Sequence, residues 1–230
     1  VQIIPVIDVM GGIVVHARGG MRHNYQPLQS KITASFELVE VISALLTLHD
    51  FKNIYIADLD AIKNHTYDLA LYEKLCQRFP ELEFWLDIGI RTKDDWQMMS
   101  SLKGLQCVVG SESLEEIDLL KLPQIKQQII LSLDYQNGRF LGRAELAKQV
   151  ADWPEKIIVM NLDYVGAQSG PDLSLLTKMQ KLSINSEVVA AGGIRNEADL
   201  EQLEKQGIRA TLIASALHNG NISSEVLNNF

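Results

Sequence analysis

The sequence predicts an α/β fold, a closed (β/α)8 barrel built from two similar halves. Three observations predict it. Apolar runs alternate with amphipathic stretches along the chain. Four of those runs recur in the same order in the second half. The runs lack period-two alternation, which fits strands of a parallel sheet buried on both faces.

The repeat justifies the strands one by one. The first run of each half ends in an aspartate ahead of a turn: Ile3-Ile4-Pro5-Val6-Ile7-Asp8 before Gly11-Gly12, and Ile129-Ile130-Leu131-Ser132-Leu133-Asp134 before Asn137-Gly138. The second runs are Ile56-Ala57-Asp58-Leu59-Asp60 and Val159-Met160-Asn161-Leu162-Asp163. The third are Leu86-Asp87-Ile88-Gly89-Ile90-Arg91-Thr92 and Ala190-Ala191-Gly192-Gly193-Ile194-Arg195-Asn196. The fourth are Val108-Val109-Gly110-Ser111 and Leu212-Ile213-Ala214-Ser215.

Helix signals fall between the strands. Ser35 precedes Phe36 to Leu48, where Val39, Ile42, Leu45 and Leu46 form a stripe. Thr92, Asp172 and Asn196 read as N-caps, and acids follow Thr92 and Asn196 in the first turn. Strict alternation implies right-handed crossovers. No linker or low-complexity tract interrupts the chain, so residues 1–230 are expected to form one domain.

Composition bounds the function. With 47% hydrophobic residues in 230, the chain can bury one sizeable core. A net charge of -8 and no basic run argue against nucleic acid and anionic membranes as partners. An anionic small molecule stays open, because backbone donors can hold one. Cys76 and Cys107 are far apart, with neither metal nor disulfide spacing, so a reduced cytoplasm is expected. No apolar stretch reaches transmembrane length, and no targeting segment is expected.

Asp8 and Asp134 lead the chemistry. A carboxylate closing an apolar strand loses hydration, which moves its pKa towards neutrality. Two across one mouth could act as acid and base on one substrate. A structural aspartate holding loop amides is the plainer alternative for either alone. Asp58 and Asp60 are expected to share a strand face, one holding loop backbone or Lys63, with Asp58 a possible substrate contact. Gly192-Gly193 before a helix start, with Ala214-Ser215 alongside, suggests a phosphate cradle. The first-half equivalent reads Asp87-Ile88-Gly89 and Gly110-Ser111-Glu112, which brings side chains and negative charge. Either Asp87 pairs with Arg91 or Lys93, or this end of the cleft takes an amine or hydroxyl group. The longest loop, Arg18 to Lys31, is either solvated or a lid whose cations meet an anionic substrate. His16 and Arg18 can reach the cleft. His49, His65 and His218 read as surface or capping residues, and Trp85, Trp96 and Trp153 as packing.

These motifs resemble the histidine-biosynthesis barrel family along almost the whole chain. IIPVIDVMGG at 3–12, IADLDAI at 56–62, LSLDYQNGRFLG at 131–142, GAQSGPDLSLL at 166–176, AAGGIRNEADL at 190–200 and SALHNG at 215–220 carry the resemblance. Its nearer branch is the phosphoribosylformimino-aminoimidazole carboxamide ribotide isomerase, and the cyclase subunit of imidazole glycerol phosphate synthase is the other. The resemblance implies a TIM barrel with Asp8 and Asp134 as general acid and base of an Amadori rearrangement. It implies no metal or redox cofactor, and a substrate with two phosphates, one per half.

The chain departs from the isomerase where its strand-six threonine falls on Met160, beside Asn161. The strand-five loop tryptophan falls near Arg143, and the strand-six loop aspartate on Val165. VHARGG, VVGSESL and SALHNG look more like isomerase-like paralogues of methylotrophs and methanogens, which are associated with one-carbon cofactor genes. Three readings follow. The first is an isomerase-like enzyme acting on a phosphorylated sugar or sugar-amine. Its phosphate would sit at Gly192, Gly193, Ala214 and Ser215, with Arg18, Asp58, Asp87, Gly89, Gly110, Ser111 and Asn161 as further substrate contacts. The second is the histidine-pathway isomerase itself. The third is a non-catalytic barrel that binds a metabolite or a protein partner of unknown identity.

Overall fold

The computed structural model describes residues 1–230. In chain order the strands are β1 (Gln2–Met10), β2 (Ile13–His16), β3 (Gln26–Pro27), β4 (Asn53–Asp58), β5 (Glu83–Asp87) and β6 (Leu105–Gly110). The second half adds β7 (Ile129–Gln136), β8 (Arg139–Leu141), β9 (Lys156–Asn161), β10 (Glu187–Ala191) and β11 (Ala210–Ile213). The helices are α1 (Leu38–Leu48), α2 (Leu59–Asn64), α3 (Leu69–Arg78), α4 (Lys93–Met99) and α5 (Pro123–Lys126). They continue with α6 (Ala144–Lys148), α7 (Leu173–Leu182), α8 (Glu197–Lys205), α9 (Ser215–His218) and α10 (Ser224–Leu227).

Eight parallel strands close a ring in the order β1-β4-β5-β6-β7-β9-β10-β11, and β11 pairs back onto β1. This is the expected (β/α)8 TIM barrel. β1 and β7 stand four strands apart in either direction, so they face each other across the axis.

Strand alternation divides the core. Ile54, Ile56, Phe84, Leu86, Val109, Leu131 and Val159 face outward and join a cluster of 49 buried residues with the helices. Ile4, Tyr55, Trp85, Val108, Ile130, Ile158 and Val189 face inward and join one of 13. Each fully buried aliphatic side chain stabilises the fold by roughly 1.5–3 kcal/mol. The inward positions continue upward to Asp8, Asp87 and Asp134, because residues two apart share a face.

Both halves extend their first strand in the same way. Met10 pairs with Ile13 and Gln136 with Arg139, leaving two-residue turns at Gly11-Gly12 and Asn137-Gly138. All four turn residues have positive φ, the geometry of a type I′ hairpin turn. Asp8 therefore pairs with Val15 on β2 and with Ala57 on β4. Asp134 pairs with Leu141 on β8 and with Met160 on β9.

The caps at Thr92, Asp172 and Asn196 form as expected, each side chain accepting the amide three residues on. Ser35 does not cap α1. Phe36 is held by the Val14 amide, Ser35 Oγ accepts the Glu37 amide, and the helix opens after Glu37. Its buried face is Leu38, Val41, Ile42 and Leu45, so Val39 is turned towards solvent. No helix is long and apolar enough to cross a membrane.

Candidate active site

A cavity of about 430 Å³ opens at the C-terminal ends of the barrel strands, the face that carries chemistry in this architecture. Asp8, Asp87, Gly110, Asp134, Gly192, Gly193, Ala214 and Ser215 all line it. Arg22, Tyr25, Glu112, Met160 and Val165 also contribute.

Asp8 and Asp134 meet this cavity from opposite sides of the ring. Burial pushes both carboxyls up to about 7. For Asp8 the Arg22 guanidinium pulls back and Asp87 pushes further. Asp134 is restrained by Ser132, whose hydroxyl donates to Oδ1 at 2.7 Å, while Asp87 and Glu112 push it up. Asp8 makes no side-chain hydrogen bond, so its carboxyl is free towards the cavity.

Ser111 is buried and does not line the cavity. Its hydroxyl accepts the Asp134 amide at 3.0 Å, donates to Leu141 O at 2.7 Å, and lies 3.4 Å from Asp134 Oδ2. It fixes the β7–β8 corner under Asp134. Gly110 keeps the space above clear, since a Cβ there would stand 3.6 Å from Asp87 Oδ2 and 3.7 Å from Asp134 Oδ2.

The two expected cradles differ. In the first half Asp87 Oδ1 accepts the Gly89 amide at 3.0 Å and Oδ2 accepts the Tyr55 hydroxyl at 3.1 Å. Asp87 pairs with neither Arg91 nor Lys93. The Arg91 and Thr92 amides go to Asp95 and the Lys93 amide to Glu116. A Cβ built on Gly89 would stand 2.9 Å from Ile62 Cα, so a side chain has no room there. Burial raises the Asp87 carboxyl above the usual range against these two donors and Arg22. Arg22 in turn lies 3.7 Å from Glu112.

In the second half Ala191 stands where the first half has Asp87, so no carboxylate takes the glycine amides. Gly192 and Gly193 have φ of 96° and 87° and line the cavity. Ser215 opens α9 beside them, leaving first-turn amides without helical partners. Arg195 is tied to Asp199 by its amide and its guanidinium, at 2.7–2.9 Å.

Three other expected contacts lie off the cavity. Asp58 caps α2 through the Ala61 amide and accepts the Tyr72 hydroxyl at 2.7 Å. It does not share a strand face with Asp60, because β4 ends at Asp58. Asp60 binds the Gly11 amide, not Lys63. Asn161 is buried, donating to Asp172 and accepting the Asp163 amide. Arg18 is exposed and does not line the cavity. Arg22, His23 and Tyr25 from that loop do line the cavity. The loop crosses to the other half, where Gly19 N meets Val165 O and Gln136 Nε2 donates to Gly19 O. His218, expected as a surface or capping residue, is 4% exposed and lines the cavity. Its spacing of three from Ser215 on one helix could have signalled this.

The family model described as histidine biosynthesis protein matches residues 2–223. The chain belongs to the histidine biosynthesis protein family. An uncharacterized protein of Methanocaldococcus jannaschii is 33% identical over the whole chain and 99% of its own length. A phosphoribosyl imidazole-4-carboxamide isomerase of Clostridium botulinum is 24% identical, covering 96% of this chain and 95% of its own. One of Bacillus cereus is 25% identical, covering 97% and 96%. Within the histidine biosynthesis family, the chain is thus an isomerase-like barrel similar to named isomerases at low identity and to the archaeal protein more strongly.

Proposed function

We propose that this barrel is an aldose–ketose isomerase of Amadori type, acting on a singly phosphorylated sugar or sugar-amine. One observation carries the reading: two buried carboxyls at opposed strand ends share a cavity, and burial pushes both up to about 7. Carboxyls raised this far can be held protonated or ionised near neutrality. The protonated carboxyl gives its proton to the ring oxygen as the sugar opens. The ionised one takes the proton from C2 to give an enaminol, which then gains a proton at C1 and loses its C2 hydroxyl proton to become the aminoketose. Ser132 and Ser111 keep Asp134 in position through the cycle, and the unpaired Asp8 carboxyl can follow the substrate.

The phosphate belongs at Gly192, Gly193, Ala214 and Ser215. The first half suits a different group. Its Gly89 amide is already satisfied by Asp87, so a phosphate there would lose a donor and meet Asp87 and Glu112. An amine or hydroxyl group is favoured instead, with Gly110 leaving room for it between the two carboxylates. Resemblance to paralogues linked with one-carbon cofactor genes directs the substrate search to phosphorylated amines of that chemistry.

The test is proton exchange in deuterium oxide. Monophosphorylated aldoses and aminoaldoses should gain deuterium at C2 with the wild type, and not with Asp8→Asn or Asp134→Asn. Exchange that persists in both variants would refute the assignment. The isomerase names of the relatives favour one second reading, the histidine-pathway reaction. Turnover of the bis-phosphorylated ribotide, lost in Asp8→Asn, would establish that reading and overturn the closed first cradle.

A further inference from the structure

Two histidines stand at the phosphate end of the cavity, and the isomerisation does not use them. His16 closes β2, and its Nε2 lies 3.3 Å from Ser215 Oγ. His218 sits three residues beyond Ser215 on α9, so both project from one side of that helix. The His218 ring is 4% exposed, with Nδ1 3.0 Å from Ser30 Oγ and Nε2 without a hydrogen-bond partner. Both histidines line the cavity along with Gly193 and Ser215. The chain brings them together across about 200 residues of sequence.

The charge balance gives them a role. The cationic or titratable bases lining the cavity are Arg22, His16, His23 and His218. Arg22 is engaged by Glu112 in the other half, and His23 is exposed on the long loop. Arg195, the nearest guanidinium in the cradle sequence, is committed to Asp199. No lysine lines the cavity. A phosphate dianion at Ser215 therefore finds backbone and hydroxyl donors, and, among the groups lining the cavity at this end, charge only from the imidazoles, with Arg18 acting on them from outside it.

We propose that His16, paired with His218, is the charge-matching contact for the bound phosphate, and that His16 takes up a proton from solvent as the dianion enters. This rests on the phosphate placement proposed above. The groups acting on His16 are Arg18 on its own strand end and His218 on α9, with the Ser215 hydroxyl facing it. In the empty site burial and Arg18 hold His16 below its usual range. Burial and His16 push His218 down to about 4. Both rings are then neutral near pH 7. An arriving dianion reverses the field on them. Protonated His16 donates through Nε2–H, and the Ser215 hydroxyl is released to donate to the phosphate.

Sulfate is the cleanest probe, because it remains a dianion throughout the range tested. Calorimetric titration of the intact protein with sodium sulfate at pH 7, in buffers of different ionisation enthalpy, should report net proton uptake. Inorganic phosphate should compete for the same site. Affinity should fall about tenfold from pH 6 to pH 8.5. His16→Gln keeps a polar partner for Ser215 and should bind about tenfold more weakly at pH 6, without proton uptake. His218→Asn, folded by thermal melt, should reduce the uptake without abolishing it.

Sulfate binding that Ser215→Asp removes, yet with no proton uptake and an unchanged pH profile in His16→Gln, would overturn the histidine role alone. Binding of neither anion to the wild type would overturn the phosphate placement and the histidine role together.

Discussion

Asp60 and Asp163 hold the same turn in the two halves: Asp60 Oδ2 accepts the Gly11 amide, and Asp163 Oδ2 accepts the Asn137 amide at 2.7 Å. Each turn closes the hairpin that carries Asp8 or Asp134. Asp95 and Asp199 repeat the pattern one strand on, binding the Arg91 and Arg195 amides. The frame around the cavity is thus symmetric in its anchors.

Cutting either turn anchor should loosen one carboxylate. Asp60→Ala and Asp163→Ala each remove an acceptor from an exposed turn, costing about 1 kcal/mol in urea unfolding. Isomerisation should slow more than this loss of stability explains, with kcat falling and KM nearly constant. Equal turnover in wild type and both variants would show that the hairpins hold their place without the anchors.

Stability should fall as pH rises through the range from about 4 to 7. Below the ordinary aspartate value both carboxyls are protonated, folded or unfolded, and nothing is lost. Between that value and about 7, the folded state keeps protons at Asp8 and Asp134 that the unfolded chain releases. Folding is weakened across this window and stays weakened above it. Asp8→Asn should therefore stabilise the protein at pH 8, by at most about 4 kcal/mol, and give no gain at pH 4. Chemical denaturation at the two pH values measures both effects. The same two groups predict a bell-shaped rate profile centred near neutrality, whose limbs belong to the pair.

Asp87→Gly should reopen the first cradle. The Gly89 amide loses its internal acceptor and faces an incoming anion without the Asp87 charge. Titration with sulfate should give one site in the wild type and a second, weaker one in the variant. A variant that still binds one sulfate would mean that Glu112 and Glu116 suffice to close this end.

Gly193→Ala should fail to fold stably. Its φ is +87°, and an added Cβ would lie 2.1 Å from Gly170 O, a backbone atom that cannot yield. Gly138→Ala meets nothing within 4 Å and suffers only its positive φ, a cost of about 1 kcal/mol. Melting temperatures of the pair separate the two effects.

Much of this was legible in the chain. The repeat gave the ring and the opposed Asp8 and Asp134, because strand period and internal symmetry are local signals. The caps at Thr92, Asp172 and Asn196 were legible for the same reason. The partners of buried polar groups were not. Tyr55 for Asp87, Tyr72 for Asp58 and His16 for Ser215 lie 32, 14 and 199 residues away, and only the closed barrel brings them together. The start of α1 is not legible at Ser35 because the Val14 amide of β2 takes the Phe36 carbonyl, and the helix opens only after Glu37.

The filled first cradle also bears on stereochemistry. A cavity with equal ends could receive a two-ended substrate either way round, and each carboxylate would then meet either face of the sugar. With Asp87 seated on the Gly89 amide, the cavity has a head and a tail. For the singly phosphorylated substrate proposed above, one docking direction would remain, and the donor of the ring proton and the acceptor from C2 would be fixed for every turnover. C2 has one hydrogen and becomes the carbonyl carbon, so the fixed orientation would show at C1, where the proton delivered to the enaminol would enter from a single face.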